Sequence, residues 1–234
     1  MSDSRNITAA LVHGAWADGS SWKDVILRLQ RKDLRVIAAP IPLTSLSDDS
    51  AALKRAIART EGPLILAAHA YAGAVIATVN DERVKALVYI AALAPDQGET
   101  VAQVFYRDEP HSQAPKLAPD ADGFIWMPDE SFKNAFSQHA TPNQIALSMA
   151  VQRPISVKCI QELSPKPAWR SRPSWFLIAE EDRMINPKTQ RFMAERMGAT
   201  TRSYAVDHTP LLSAPEKVVD IILEAKQAVS PGGE

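Results

Sequence analysis

The strongest constraint on what this chain can fold into is an alternation. Continuous apolar runs of strand length alternate with segments of helical spacing. The predicted strands are Ile7–Val12, Leu34–Ala39, Leu64–Ala68, Val84–Ala91, Ser174–Ala179 and Thr201–Val206. The predicted helices are Ser21–Gln30, with Trp22, Val25, Ile26 and Leu29 on one side, Ser47–Thr60, with Leu53 and Ile57, and the small-residue segment Gly73–Val79. Lys188–Gly198, stopped by its glycine, and Pro215–Val229 complete the set. A Ser/Asp cluster suited to N-capping opens the second helix. Strands that are apolar throughout, rather than at every second position, need cover on both faces. The expectation is an α/β fold: a doubly wound, mainly parallel sheet of about six strands.

A chain of 234 residues, 46% of them apolar, is long enough to bury one such sheet. Residues 1–234 are therefore read as a single domain. The alternation breaks only between about 95 and 172, a proline-bearing stretch with few strand signals and several aromatic residues. It is too long for a plain loop. It is read as a lid inserted over the carboxyl edge of the sheet, where doubly wound folds bind ligands, with helices at Asp129–His139 and Pro142–Val151. The terminal SPGGE is read as a frayed end.

Composition excludes several classes of function. Lys and Arg number 26 against 27 Asp and Glu, a net charge of −1, so no basic excess exists to hold nucleic acid or an anionic membrane. The first residues carry no charged segment followed by a long apolar run, so neither a signal peptide nor a membrane anchor is expected. The single cysteine, Cys159, cannot form an intramolecular disulfide and has no obvious base beside it, so it reads as a small buried residue. No His or carboxylate pair has metal-ligand spacing on one helix, and neither metal nor cofactor is expected. A cytoplasmic protein is the simple reading.

The chemistry concentrates in Leu64–Ala77, LILAAHAYAGAVIA. A strand runs straight into a tight small-residue turn and then a helix, the context of a nucleophile elbow, G-x-S-x-G. The five residues here are Ala68, His69, Ala70, Tyr71 and Ala72. Alanine meets the need for small flanking residues, but the centre, where serine belongs, is Ala70.

Four motifs then carry a resemblance: Leu11-Val12-His13-Gly14-Ala15-Trp16 with Trp22 on the next helix; His69-Ala70-Tyr71-Ala72-Gly73-Ala74-Val75-Ile76; Ala179-Glu180-Glu181-Asp182-Arg183-Met184-Ile185-Asn186-Pro187; and Val206-Asp207-His208-Thr209-Pro210-Leu211-Leu212. Each follows a predicted strand. In this order they resemble the small lidded esterases of the α/β-hydrolase superfamily, which include plant methylesterases, hydroxynitrile lyases and many bacterial esterases. The resemblance spans Leu11 to Leu212 and is least marked in the lid. It implies that His208 is the general base, that Asp182 holds its imidazole, and that the backbone amides of Ala15 and Tyr71 form an oxyanion hole. It also admits a homodimer. Glu180 and Glu181 compete with Asp182 for the acid, and Asp182 fits the pattern best.

His13 and His69 are read as supports of their turns, and His111 and His139 as solvated lid residues. Trp16, Phe105, Trp126 and Phe136 are expected to line a substrate pocket beneath the lid, while Phe124 and Phe132 count as core aromatics. The expected substrate is a small, largely apolar ester or lactone, split through an acyl-enzyme in a serine form. Plant hydroxynitrile lyases carry Lys directly after the catalytic His, and here Thr209 stands there, which weakens that alternative. A methyl group cannot attack a carbonyl, and loss of the nucleophile costs about 10⁶ in kcat, so the chain as written should be nearly inert. Two origins compete: replacement of a native serine, or a natural relative that binds a small molecule without turning it over. The intact partners and elbow favour the first.

Overall fold

The computed structural model describes residues 7–230, and the expected frayed end from residue 231 onward and the first six residues lie outside it. Among the described residues six strands form one parallel sheet in the order β2-β1-β3-β4-β7-β8. Its first half is β1 (Thr8–Val12), a 3-10 turn at Gly19–Trp22, α1 (Lys23–Gln30), β2 (Arg35–Ala39), α2 (Leu46–Ile57), β3 (Leu64–His69), α3 (Ala72–Ala77) and β4 (Val84–Ile90). The intervening segment holds α4 (Val101–Phe105), β5 (Phe124–Ile125), α5 (Asp129–Ser131) running into a π-helical turn at Phe132–Phe136, α6 (Pro142–Ala150), β6 (Ile155–Ser156), α7 (Val157–Gln161) and a 3-10 turn at Ala168–Arg170. The sheet resumes with β7 (Ser174–Ala179), α8 (Pro187–Arg196), β8 (Thr200–Tyr204), α9 (Pro210–Ser213) and α10 (Pro215–Val229).

The apolar runs behave as their composition requires. Strands β1, β3 and β7 are buried at every position. The polar TTRSY of β8 lies on the sheet edge, mostly exposed. On one face the Gly19–Trp22 turn, α1 and α10 bury Trp22, Val25, Leu29, Val218, Ile221 and Ile222. On the other α2, α3 and α8 bury Leu53, Ile57, Val75, Ile76 and Met193. Helix α2 starts where Ser45 accepts a hydrogen bond from the Asp48 amide at 3.0 Å.

The segment between β4 and β7 is more regular than its proline content suggests. Strands β5 and β6 pair antiparallel, with Ile125 opposite Ile155. The helix expected over Asp129–His139 ends early, at Phe136, in the π-helical turn. That over Pro142–Val151 forms as α6, with Pro142 in its first turn and a capping box between Thr141 and Gln144. Two backbone bonds pin the segment to loops at the carboxyl ends of β1 and β2: Trp16 donates to the Arg153 carbonyl at 3.0 Å, and Ser156 to that of Leu43 at 2.9 Å.

Candidate active site

The elbow is built by crowding. Strand β3 ends at His69, and Ala70 adopts φ 50°, a left-handed conformation that costs an alanine about 1–2 kcal/mol. It is held there by its own amide, which donates to Ile90, and by its carbonyl, which accepts from the amides of Gly73 and Leu93. A Cβ on Gly73 would lie 2.4 Å from the Leu93 carbonyl oxygen, so this position must be glycine. A Cβ on Gly14 would sit 3.0 Å from the Ala70 Cβ and 3.1 Å from His69 Nδ1, which is how closely the first turn approaches the elbow. Trp16, Leu43 and Ala91, in or beside the same loops, also have positive φ. Strained backbone of this kind persists only where surrounding structure imposes it, and it clusters at functional sites.

The acid and the histidine meet in the fold. His208 Nδ1 donates to Asp182 Oδ2 at 2.8 Å, and both side chains are buried. Asp182 is fully engaged. Its Oδ1 accepts from the amides of Met184 and Ile185 at 2.7 and 2.9 Å, and its Oδ2 also accepts from Gln190 Nε2 at 2.8 Å. The competing carboxylates face elsewhere: Glu180 pairs with Arg191, and Glu181 with His139 at 3.0 Å. His139 is thereby tied down, whereas His111 stays exposed with the Gln113 amide on its Nδ1.

His69 and His13 support the site from behind. His69 Nε2 donates to the His208 carbonyl at 2.8 Å, and the two rings lie 4.8 Å apart. His13 Nδ1 donates to the Gly14 carbonyl at 3.0 Å. Burial pushes the His13 imidazole down to about 4 and that of His69 well below its ordinary value. Both are therefore neutral at pH 7.

A cavity of about 240 Å³ opens on Ala15, Ala70, Tyr71 and His208. The backbone amides of Ala15 and Tyr71 donate to no other atom among the described residues. Phe105, Leu117, Ile125, Ile155, Met184 and Ile185 supply much of the wall, and among the described residues no Asp, Glu, Lys or Arg lines it. Of the four residues expected to line the pocket, Trp16 and Phe105 do. Trp16 is fixed by its Nε1, which donates to the Ile125 carbonyl at 2.9 Å.

Trp126 does not line the cavity. It is 51% exposed, with Nε1 directed at Asp120. Successive residues of an extended segment point to opposite faces, so Ile125 enters the cavity and Trp126 leaves it. Phe136 is also displaced from its expected place. Its ring packs 5.3 Å from that of His208 and borders a separate hollow of about 110 Å³ behind His69. It shields the imidazole instead of facing the cavity.

Three contributors were not anticipated. Gln190 lies on α8, eight residues beyond Asp182, and binds that carboxylate, the Ile185 carbonyl and the Ala179 amide. Asp49, on the opening turns of α2, belongs to the Ser/Asp cluster read as suited to N-capping, and is fully buried. Its Oδ1 accepts from the Leu43 amide and its Oδ2 from the Tyr71 hydroxyl, both at 2.7 Å. Cys159, buried as expected, brings its thiol to 3.7 Å from the same Oδ2. Burial raises Asp49 to about 6 despite these donors, and raises the Tyr71 hydroxyl and Cys159 thiol as well. The only sequence signal for Asp49 was its helical position, one turn before Leu53 on the buried side of α2.

No helix of the described residues is long and apolar enough to cross a membrane, and no group of three or more metal-binding side chains lies among them. No curated protein matches the chain. A polyneuridine aldehyde esterase superposes with a TM-score of 0.80 at 16% identity, covering 94% of this chain and 98% of that one. A pyrethroid hydrolase from Sphingobium faniae JZ-2 gives 0.81 at 20%, over 95% and 98%. A methylesterase from Arabidopsis gives 0.76 at 16%, over 94% and 98%. At these identities the likeness is one of fold. The profile of the Alpha/beta hydrolase family matches residues 10–221, nearly the whole chain, and this protein belongs to that family.

Proposed function

We propose that this is the site of a carboxylic-ester hydrolase whose nucleophile position holds alanine. The observation that carries the reading is the buried His208–Asp182 pair at 2.8 Å, set beside Ala70 on one cavity. With Nδ1 committed to Asp182, the imidazole presents Nε2 to whatever stands at position 70. A serine there would lose its proton to Nε2 as it attacked the ester carbonyl, and His208 would return that proton to the leaving alcohol. The amides of Ala15 and Tyr71 would stabilise the oxyanion. Water would then release the acid by the same route. Four hydrogen bonds on Asp182 hold the imidazole in one orientation throughout.

The wall of the cavity fits a small neutral ester or lactone, because an uncompensated charge would be desolvated there without a partner. The lone buried thiol of Cys159 fits a reducing compartment such as the cytoplasm. With Ala70 the chain binds such an ester and leaves it intact. The test is Ala70→Ser, assayed on p-nitrophenyl esters from acetate to octanoate. Hydrolysis should rise by about 10⁶ over the chain as it stands, the factor that loss of the serine alone removes. A folded Ala70→Ser protein inactive across all acyl lengths overturns the reading.

A further inference from the structure

With alanine at the elbow, one cavity is still lined by His208, Ala15 and Tyr71 and, among the described residues, by no Asp, Glu, Lys or Arg. We infer that the chain as it stands catalyses proton transfer at carbon, removing the α-hydrogen of a small neutral ketone or 1,3-dicarbonyl compound bound with its oxygen on the Ala15 and Tyr71 amides and its α-carbon against His208. The inference uses the cavity and the two amides of the ester reading, but does not depend on ester hydrolysis.

Four observations support it. His208 Nδ1 is held by Asp182 at 2.8 Å, which leaves Nε2 as the uncommitted ring nitrogen of a residue that lines the cavity. Ala15 and Tyr71 line the same cavity, and their amides have no acceptor among the described residues, which leaves both free to receive a developing enolate oxygen. Ala70 supplies a methyl group where a hydroxyl would add to the carbonyl, so a bound ketone meets no competing nucleophile at the elbow. Among the described residues the wall around these groups carries no charged side chain, which favours a neutral carbon acid over a charged one.

In the step, Nε2 takes the α-proton. The C–H electron pair becomes the new carbon–carbon π bond, and the carbonyl π pair moves onto oxygen, where the two amides hold it. The imidazolium stays paired with Asp182. The Nε2 proton exchanges with solvent, and its return to the same face of the α-carbon restores the ketone with a solvent hydrogen in place of its own. No oxidant, reductant or co-reactant is consumed.

The experiment uses the unmodified chain in D₂O with a panel of neutral ketones: 1-indanone, 2-tetralone and 2-methyl-1-tetralone. Binding is read as a rise in unfolding temperature, and exchange as loss of the α-proton signal in NMR. At least one ketone should bind and exchange at a rate proportional to protein concentration. His208→Gln should keep ketone binding and lose at least about a hundredfold in exchange, the low end of what a positioned base contributes. Asp182→Asn is the second variant, of nearly the same volume, and should lose exchange likewise. A panel in which no ketone binds overturns the substrate class. Binding without exchange, or exchange that survives both substitutions, overturns the chemistry. Neither result depends on whether Ala70→Ser hydrolyses esters, so the two readings fail separately.

Discussion

Asp49 is the residue whose behaviour the structure predicts most sharply. It is fully buried, and burial raises its carboxyl from an ordinary 3.8 to about 6. Its donors are the Leu43 amide and the Tyr71 hydroxyl at 2.7 Å, with the Cys159 thiol at 3.7 Å, while the neighbouring Asp48 carboxylate opposes its ionisation. At about 1.4 kcal/mol per pH unit, this shift makes the ionised form cost the fold about 3 kcal/mol. A raised carboxyl binds its proton more tightly when folded than when unfolded. Its contribution is therefore fully present below pH 3.8 and is lost as pH rises through about 6. Asn at this position keeps an acceptor for Leu43 but does not titrate.

The assay is urea unfolding of the unmodified chain and of Asp49→Asn from pH 4 to pH 8. The stability difference should move in favour of the Asn variant by about 2.5 kcal/mol across that range, most of it below pH 7. The buried imidazoles work in the opposite sense. His13, lowered to about 4, and His69, also lowered, contribute stability that is lost as pH falls below 6.5. Both are present in the two proteins and cancel in the difference. A difference that stays flat with pH, or moves toward the unmodified chain as pH rises, refutes the reasoning.

Two further outcomes follow from the site. In an Ala70→Ser background, Gln190→Ala removes one of four hydrogen bonds on Asp182 and should lower kcat by roughly tenfold to a hundredfold, with KM for p-nitrophenyl butyrate little changed. A fall confined to KM counts against it. Gly73→Ala drives a methyl to 2.4 Å from the Leu93 carbonyl and should cost about 1–3 kcal/mol in urea unfolding, with no loss refuting the crowded elbow.

What the sequence determined by itself is what depends on neighbours along the chain. Apolar runs bounded by turn residues set β1, β3, β4 and β7, because a strand buried on both faces is apolar along most of its length. The four motifs sit at strand ends, so they mark where the sheet delivers Ala15, Ala70, Asp182 and His208 to one edge. What only the tertiary structure decided is direction and convergence. Phe136 and Trp126 are aromatic residues of the same segment, yet one packs on the His208 ring and the other points at Asp120 near the surface. Composition cannot separate them, because the choice depends on a π-helical turn and on the register of a two-residue strand. Asp49 and Gln190 escaped notice for the same reason. Each is an ordinary polar residue on a helix until folding brings Tyr71 and Cys159 to the first, 22 and 110 positions along the chain, and the Asp182 carboxylate to the second. Contacts between distant positions leave no local periodicity, and the chemistry of this site is made of them.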